Sequence, residues 1–181
     1  QFLGIKTPQR KQILKEFQYI YGKSPTETFP TFIWELWLLA QREFQYSATN
    51  FLQKKLSNLK ENSIALIEKL ITTKSWWDTV EFLASNIIGD LFQRFPLQKH
   101  NYLQKWLQSE NIWLQRNCIL FQLKYKEKTD VKLLFSILTY LKDTSEFFLN
   151  KAIGWAIRQY SKTDAPAVIN FTKNNKLSNL S

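Results

Sequence analysis

Four positions constrain this chain more than any other feature. Arg42, Trp77, Ile112 and Phe147 each follow a helix-stopping segment, open an apolar-periodic stretch, and stand 35 residues from the next. A fixed spacing of that size is the mark of stacked supersecondary units, because one such unit cannot bury its own apolar face. Nearly every segment around these openers reads as helix. Thr7-Pro8 supplies a cap and a first-turn proline, after which Ile13, Leu14, Phe17, Ile20 and Tyr21 form a stripe that Gly22-Lys23-Ser24-Pro25 closes. Further helices are expected near 32–40, 42–56, 62–72, 77–94, 99–108, 112–126, 131–141, 146–161 and 165–174, with breaks at Asn58, Phe95-Pro96, Ser109-Glu110-Asn111, Thr129-Asp130, Asp143-Thr144-Ser145 and Thr163-Asp164-Ala165-Pro166. Short connections between them imply antiparallel helical hairpins.

The period lies between tetratricopeptide and HEAT lengths, and no tetratricopeptide consensus is present. The expected fold is therefore all-α, a HEAT-like repeat solenoid forming one domain over residues 1–181. Six positions after each opener stand Ala48, Leu83, Cys118 and Ile153, a column suited to the core between repeats. Four positions after each opener stand Tyr46, Glu81, Arg116 and Lys151, a polar column within apolar helices. Aligned positions of stacked second helices fall along one face, usually the concave one.

Composition narrows the chemistry. Lys plus Arg number 25 against 15 for Asp plus Glu, a net charge of +10, and aromatic residues make up 15% of the chain, with seven tryptophans. One cysteine, Cys118, and one histidine, His100, leave no disulfide framework, no structural zinc site and no metal ligand set. Four glycines provide no phosphate-cradling loop, so no cofactor is expected. No apolar run of about 20 residues is present. A single free thiol suits a reducing cytoplasm. The chain lacks methionine and begins at Gln1, which points to trimming at the N-terminus at least.

The segment Ser75-Trp76-Trp77-Asp78-Thr79-Val80-Glu81 sets Trp77 and Glu81 on one helical face, with Arg116 in the same column one repeat later. Trp155 follows Lys151 by one turn. Together these groups could grip a cation or a nucleotide: indole faces attract cations, a carboxylate stabilises developing positive charge, and arginine holds phosphate. The same spacing also fits two core tryptophans and an inter-repeat Glu81–Arg116 ion pair. Basic residues recur at Lys6, Arg10, Lys11 and Lys15, at Lys54 and Lys55, at Lys124, Lys126 and Lys128, and at Lys151, Arg158 and Lys162. They form either a solvated face or a basic groove that tracks a nucleic-acid backbone.

Several strings resemble the AlkD family of HEAT-like repeat DNA alkylation-repair glycosylases. They are Phe2-Leu3-Gly4-Ile5-Lys6-Thr7-Pro8, Arg42-Glu43-Phe44-Gln45, Thr73-Lys74-Ser75-Trp76-Trp77-Asp78, Asn111-Ile112-Trp113-Leu114-Gln115-Arg116, Leu120-Phe121-Gln122-Leu123-Lys124-Tyr125-Lys126, and Glu146-Phe147-Phe148 with Lys151-Ala152-Ile153-Gly154-Trp155. The resemblance implies a concave basic face that clasps double-stranded DNA as a monomer and excises cationic N3- and N7-alkylpurines. It implies a carboxylate at Glu81 and two tryptophans, Trp77 and Trp155, against the deoxyribose. Arg116, Arg158 and Lys151 are expected near phosphates, with Lys6, Thr7 and Lys11 as further DNA contacts. Two departures bear on activity. The family's carboxylate is an aspartate, and a displacement of an ångström can cost on the order of a hundredfold in rate. Family members also carry a helical hairpin before the Phe2-Leu3-Gly4-Ile5 string, and they continue beyond Leu177-Ser178-Asn179-Leu180-Ser181. The expectation is a DNA-binding member with reduced or no excision. The alternatives are a non-catalytic paralogue that binds DNA weakly or by structure, and a protein-interaction solenoid.

Overall fold

Helices open at Arg42, Trp77, Ile112 and Phe147, so all four expected openers are first residues of helices. The computed structural model describes residues 1–22 and 28–178, and among them there is no strand. The chain is all-α and built of helical repeats. The helices are α1 (Thr7–Tyr21), α2 (Phe29–Leu38), α3 (Arg42–Lys54), α4 (Ser63–Thr72), α5 (Trp77–Phe82), α6 (Gly89–Arg94), α7 (Pro96–Leu107), α8 (Ile112–Leu120), α9 (Val131–Leu141), α10 (Phe147–Tyr160) and α11 (Ala165–Asn174). Most of the expected stop after α1 lies outside the described residues, as do the last three residues of the chain.

Proline placement explains where expected and observed boundaries differ. Pro30 and Pro96 sit in the first turn of α2 and α7, where a missing N–H costs nothing, so both helices start earlier than the apolar pattern alone suggests. The stretch expected as one helix over 112–126 ends at Leu120 and passes through turns into a short 3-10 segment, Lys126–Lys128. Caps fall where the stop signals lie. Asn111 Oδ1 accepts from the N–H of Trp113 and of Leu114, Asp130 Oδ1 from Leu133, and Asp164 Oδ1 from Ala167.

The chain groups into two compact units, Gln1–Lys74 and Ser75–Ser181. In the first, α2 packs on α3 and α4, and α1 on α3. Ile33, Trp37, Leu52, Ile64, Ile67 and Leu70 form its core, and Trp37 Nε1 donates to the carbonyl of Thr73 at 2.7 Å. Helix α1 buries no residue and leaves Ile13, Phe17, Ile20 and Tyr21 exposed. What pins its N-terminal lead is Glu43, whose carboxylate accepts from the N–H groups of Leu3, Gly4 and Ile5 at 2.9–3.3 Å. Burial pushes the Glu43 carboxyl up, but these backbone donors outweigh it and hold it below the usual carboxylate range.

In the second unit α5 packs on α8 and α8 on α10, each second helix against the next. The core column is fully buried at Leu83, Cys118 and Ile153, as Ala48 is in the first unit. Between α5 and α6 the rod continues as a π-helical stretch, Leu83–Ile88, where a plain α-helix over 77–94 was expected. It delivers Gly89 against α8's end: a Cβ there would lie 2.6 Å from the Phe121 carbonyl oxygen. A third column emerges three positions after three of the four openers, with Val80 at the corresponding position after Trp77. Gln45 Nε2 donates to the carbonyls of Trp37 and Leu39, Gln115 Nε2 to those of Leu107 and Ser109, and Asn150 Nδ2 to that of Thr144. An amide at this register closes the C-terminal carbonyls of the preceding helix or its connection, groups that helix geometry leaves unpaired.

Replacing Gln115 with Leu strands two carbonyls, and urea unfolding should show a loss of about 1–3 kcal/mol. The lowered pKa of Glu43 stabilises the fold at neutral pH, and that contribution is lost as pH falls through its folded value. Glu43→Gln should therefore remove hydrogen-exchange protection at Leu3, Gly4 and Ile5 without needing acid. Cys118, fully buried and with its acidity weakened by burial, should react with thiol reagents only at the rate of unfolding.

Candidate functional site

Helix α5 starts on two adjacent indoles. Trp76 stands at its N-cap and Trp77 at its first position, 46% and 43% exposed. Neither is a core residue. Asp78 lies in the first turn, where the helix dipole favours a carboxylate. One turn after Trp77, Glu81 points to α8, and Arg116 Nη2 donates to its Oε1. Arg116 Nη1 donates to the Phe148 carbonyl on α10. A single guanidinium therefore ties the three stacked helices together.

The electrostatics of this pair are governed by burial. Glu81 is pushed up by desolvation, pulled back by the hydrogen bond and charge of Arg116, and pushed up again by the nearby Asp78; the net direction is upward. Arg116 is lowered by desolvation against the support of Glu81. Arg116, expected near a phosphate, is 3% exposed and spends both terminal nitrogens on the protein. In this arrangement it is a strut.

Around the strut lies an aromatic group that spacing arguments passed over. The Phe148 ring centroid lies 5.0 Å from Trp113, 5.4 Å from Phe147 and 6.1 Å from Trp76, and the Arg116 guanidinium carbon lies 5.9 Å from it. Trp113 and Phe148 each stand one residue after an opener, so the 35-residue register carried the signal. Phe147 is exposed, and Lys151 Nζ sits 5.8 Å from its ring.

Along α10, Lys151, Trp155 and Arg158 fall three and four residues apart and form one stripe, with both cations exposed and Trp155 half-buried. No ring pair joins Trp155 to Trp77 among the described residues. Lys6, Thr7 and Lys11 are exposed at the start of α1, in the first unit. In that unit Tyr46, first member of the polar column, lies between Arg10 and Arg42, whose guanidinium carbons are 5.0 and 5.4 Å from its ring. Among the described residues no cluster of His, Cys, Asp and Glu could hold a metal ion, and no helix is long and apolar enough to cross a membrane.

The whole chain, residues 1–181, matches the family model of the DNA alkylation repair enzyme. No curated protein matches the sequence. A solved structure from Enterococcus faecalis, described as a predicted DNA alkylation repair enzyme, is similar with a TM-score of 0.89 and 30% sequence identity, over 99% of this chain and 84% of that one. A helical-repeat fold, a repeat register that aligns a carboxylate and a guanidinium, and a match along the full chain lead to one assignment: the chain belongs to the DNA alkylation repair enzyme family.

Proposed function

We propose that this protein binds the sugar–phosphate backbone of double-stranded DNA and that its Trp77–Glu81 face meets a damaged nucleotide with little or no excision. The observation that carries the reading is the Glu81–Arg116 ion pair. Loss of an N3- or N7-alkylpurine breaks the glycosidic bond with both electrons leaving on the cationic base, which departs neutral. The sugar is left as an oxocarbenium ion, and a water adds at its anomeric carbon and gives up a proton. A carboxylate lowers that barrier only in so far as its charge is free to meet the sugar cation. Here the charge is already met by a guanidinium, and burial, which raises the pKa of Glu81, makes the free anion harder still to keep. The exposed Trp77 remains available to lie against a deoxyribose or a base.

Sequence-independent grip is supported by the +10 charge and by the exposure of the cations concerned. Lys151 and Arg158 flank Trp155 on α10, and Lys6, Thr7 and Lys11 offer donors on α1. Arg116 acts in this reading by holding Glu81, and DNA contact falls to the exposed cations.

Base release from methylated duplex DNA tests the chemical half. Wild type should release little or no 3-methyladenine or 7-methylguanine, while Glu81→Asp, shortened away from Arg116, should release more. Brisk release by wild type that Glu81→Ala abolishes would overturn the reading in favour of a competent glycosylase. Salt-dependent binding tests the other half. Lys151→Ala and Arg158→Ala should each weaken duplex affinity and reduce the magnitude of the log–log salt slope by about one. Arg116→Ala should leave that slope unchanged but lower stability by roughly 3 kcal/mol, since it leaves a desolvated carboxylate without its counter-charge. Absence of duplex binding at physiological salt would make the protein an interaction scaffold.

A further inference from the structure

Far along the sequence from the Trp77–Glu81 face, the first unit contains a cavity of about 600 Å³ among α1, α2 and the end of α3. Its walls are mostly aromatic. Phe17 and Tyr21 come from α1 with ring centroids 4.9 Å apart, and Phe32 of α2 meets Phe51 of α3 edge-on at 5.2 Å, with Phe29 beside them. The α1 wall remains accessible, Phe17 being 44% and Tyr21 74% exposed. At the rim stand Lys54 and Lys55. Lys54 Nζ donates to Gln18 Oε1 at 2.9 Å across the mouth, and Lys55 Nζ lies 6.0 Å from the Phe29 ring. The Asn58 amide completes the polar edge, and among the described residues no acidic side chain lines the space.

The chemistry of this lining selects its ligand. A cavity for an acyl chain needs no flat faces, whereas the five aromatic rings of this lining offer them to a planar π-system. Two ammonium groups at the rim, with no carboxylate among the described lining residues, favour an anion. A nucleotide joins a planar π-system to an anion, and the volume lies within the usual range for small-ligand sites. We propose that this cavity binds a nucleotide, its base against the Phe17 and Tyr21 rings and its phosphate at Lys54 and Lys55. The ligand is either a free mononucleotide or an unpaired nucleotide of a single strand. Every lining residue belongs to the first unit, so the site is independent of Glu81.

Fluorescence anisotropy of a labelled short oligothymidylate against the full chain tests the proposal, with thymidine monophosphate as competitor. Tyr21→Ala should weaken oligothymidylate binding about tenfold, the loss of one base–aromatic stack, while Tyr21→Phe stays within about twofold of wild type. The double variant Lys54→Gln/Lys55→Gln removes the anion site without touching the rings, and it should weaken binding with the circular dichroism spectrum unchanged. Photo-crosslinks from 5-iododeoxyuridine should map to Phe17 or Tyr21. Displacement by thymidine monophosphate would identify a free-nucleotide site, and binding without displacement would identify a single-strand site; both support the proposal. Unchanged affinity in Tyr21→Ala and in the double lysine variant would overturn it, as would binding of laurate in place of the oligonucleotide. Duplex affinity measured on the same samples separates this failure from failure of the DNA-binding reading, because only the latter loses duplex binding in wild type.

Discussion

Three helices of the second unit meet at one guanidinium. Arg116 reaches from α8 to the carboxylate of Glu81 on α5 and to the carbonyl of Phe148 on α10. A buried column packs the same repeats: Leu83 starts the π-helical stretch that continues α5, Cys118 lies on α8 and Ile153 on α10. Charge burial of this sort is costly unless each ion keeps a partner, so the pair and the packing depend on each other. The Phe148 ring lies 5.9 Å from the Arg116 guanidinium carbon, and Trp76, Trp113 and Phe147 pack on that ring. Position along the repeat thus decides chemistry: the register that stacks the helices is the register that neutralises the acid.

The architecture was legible in the sequence because a repeat writes its constraint several times over. A single apolar pattern leaves a helix boundary loose by a turn, yet four openers at one spacing fix the starts of α3, α5, α8 and α10 together. The buried column followed for the same reason. What the sequence concealed was of two kinds. The π-helical stretch at Leu83–Ile88 has no residue signature, since its apolar run serves an α-helix equally well, and only the close seating of Gly89 under the Phe121 carbonyl reveals why the register shifts there. The amides Gln45, Gln115 and Asn150 were visible as letters, but a polar residue inside an apolar helix can equally be a solvent-facing one.

At the candidate site the sequence reading left the relation between its residues open. Both the functional grouping of Trp77, Glu81 and Arg116 and the alternative ion pair were compatible with i, i+4 and i, i+35 spacing. The structure combines them, with the ion pair formed and Trp77 exposed beside it. Spacing along a helix reports which face a side chain shares, whereas burial depends on neighbours from helices remote in sequence. The clasp of Glu43 on Leu3, Gly4 and Ile5 was out of reach for that reason, joining residues 38 to 40 positions apart.

Helix α1 buries no residue, and the Glu43 clasp secures only the lead into it. A segment held by so few apolar contacts opens locally long before the domain unfolds, at a free-energy cost near the bottom of the range found within a folded protein. Such a helix behaves as a separate foldon, and a protease would sample it in the native state at a rate set by its own small opening equilibrium. By mass action, any molecule that binds only the closed form of that helix lowers its open population by a factor of one plus the ratio of free ligand concentration to Kd. The survival of α1 against a protease thereby reports on what binds to it.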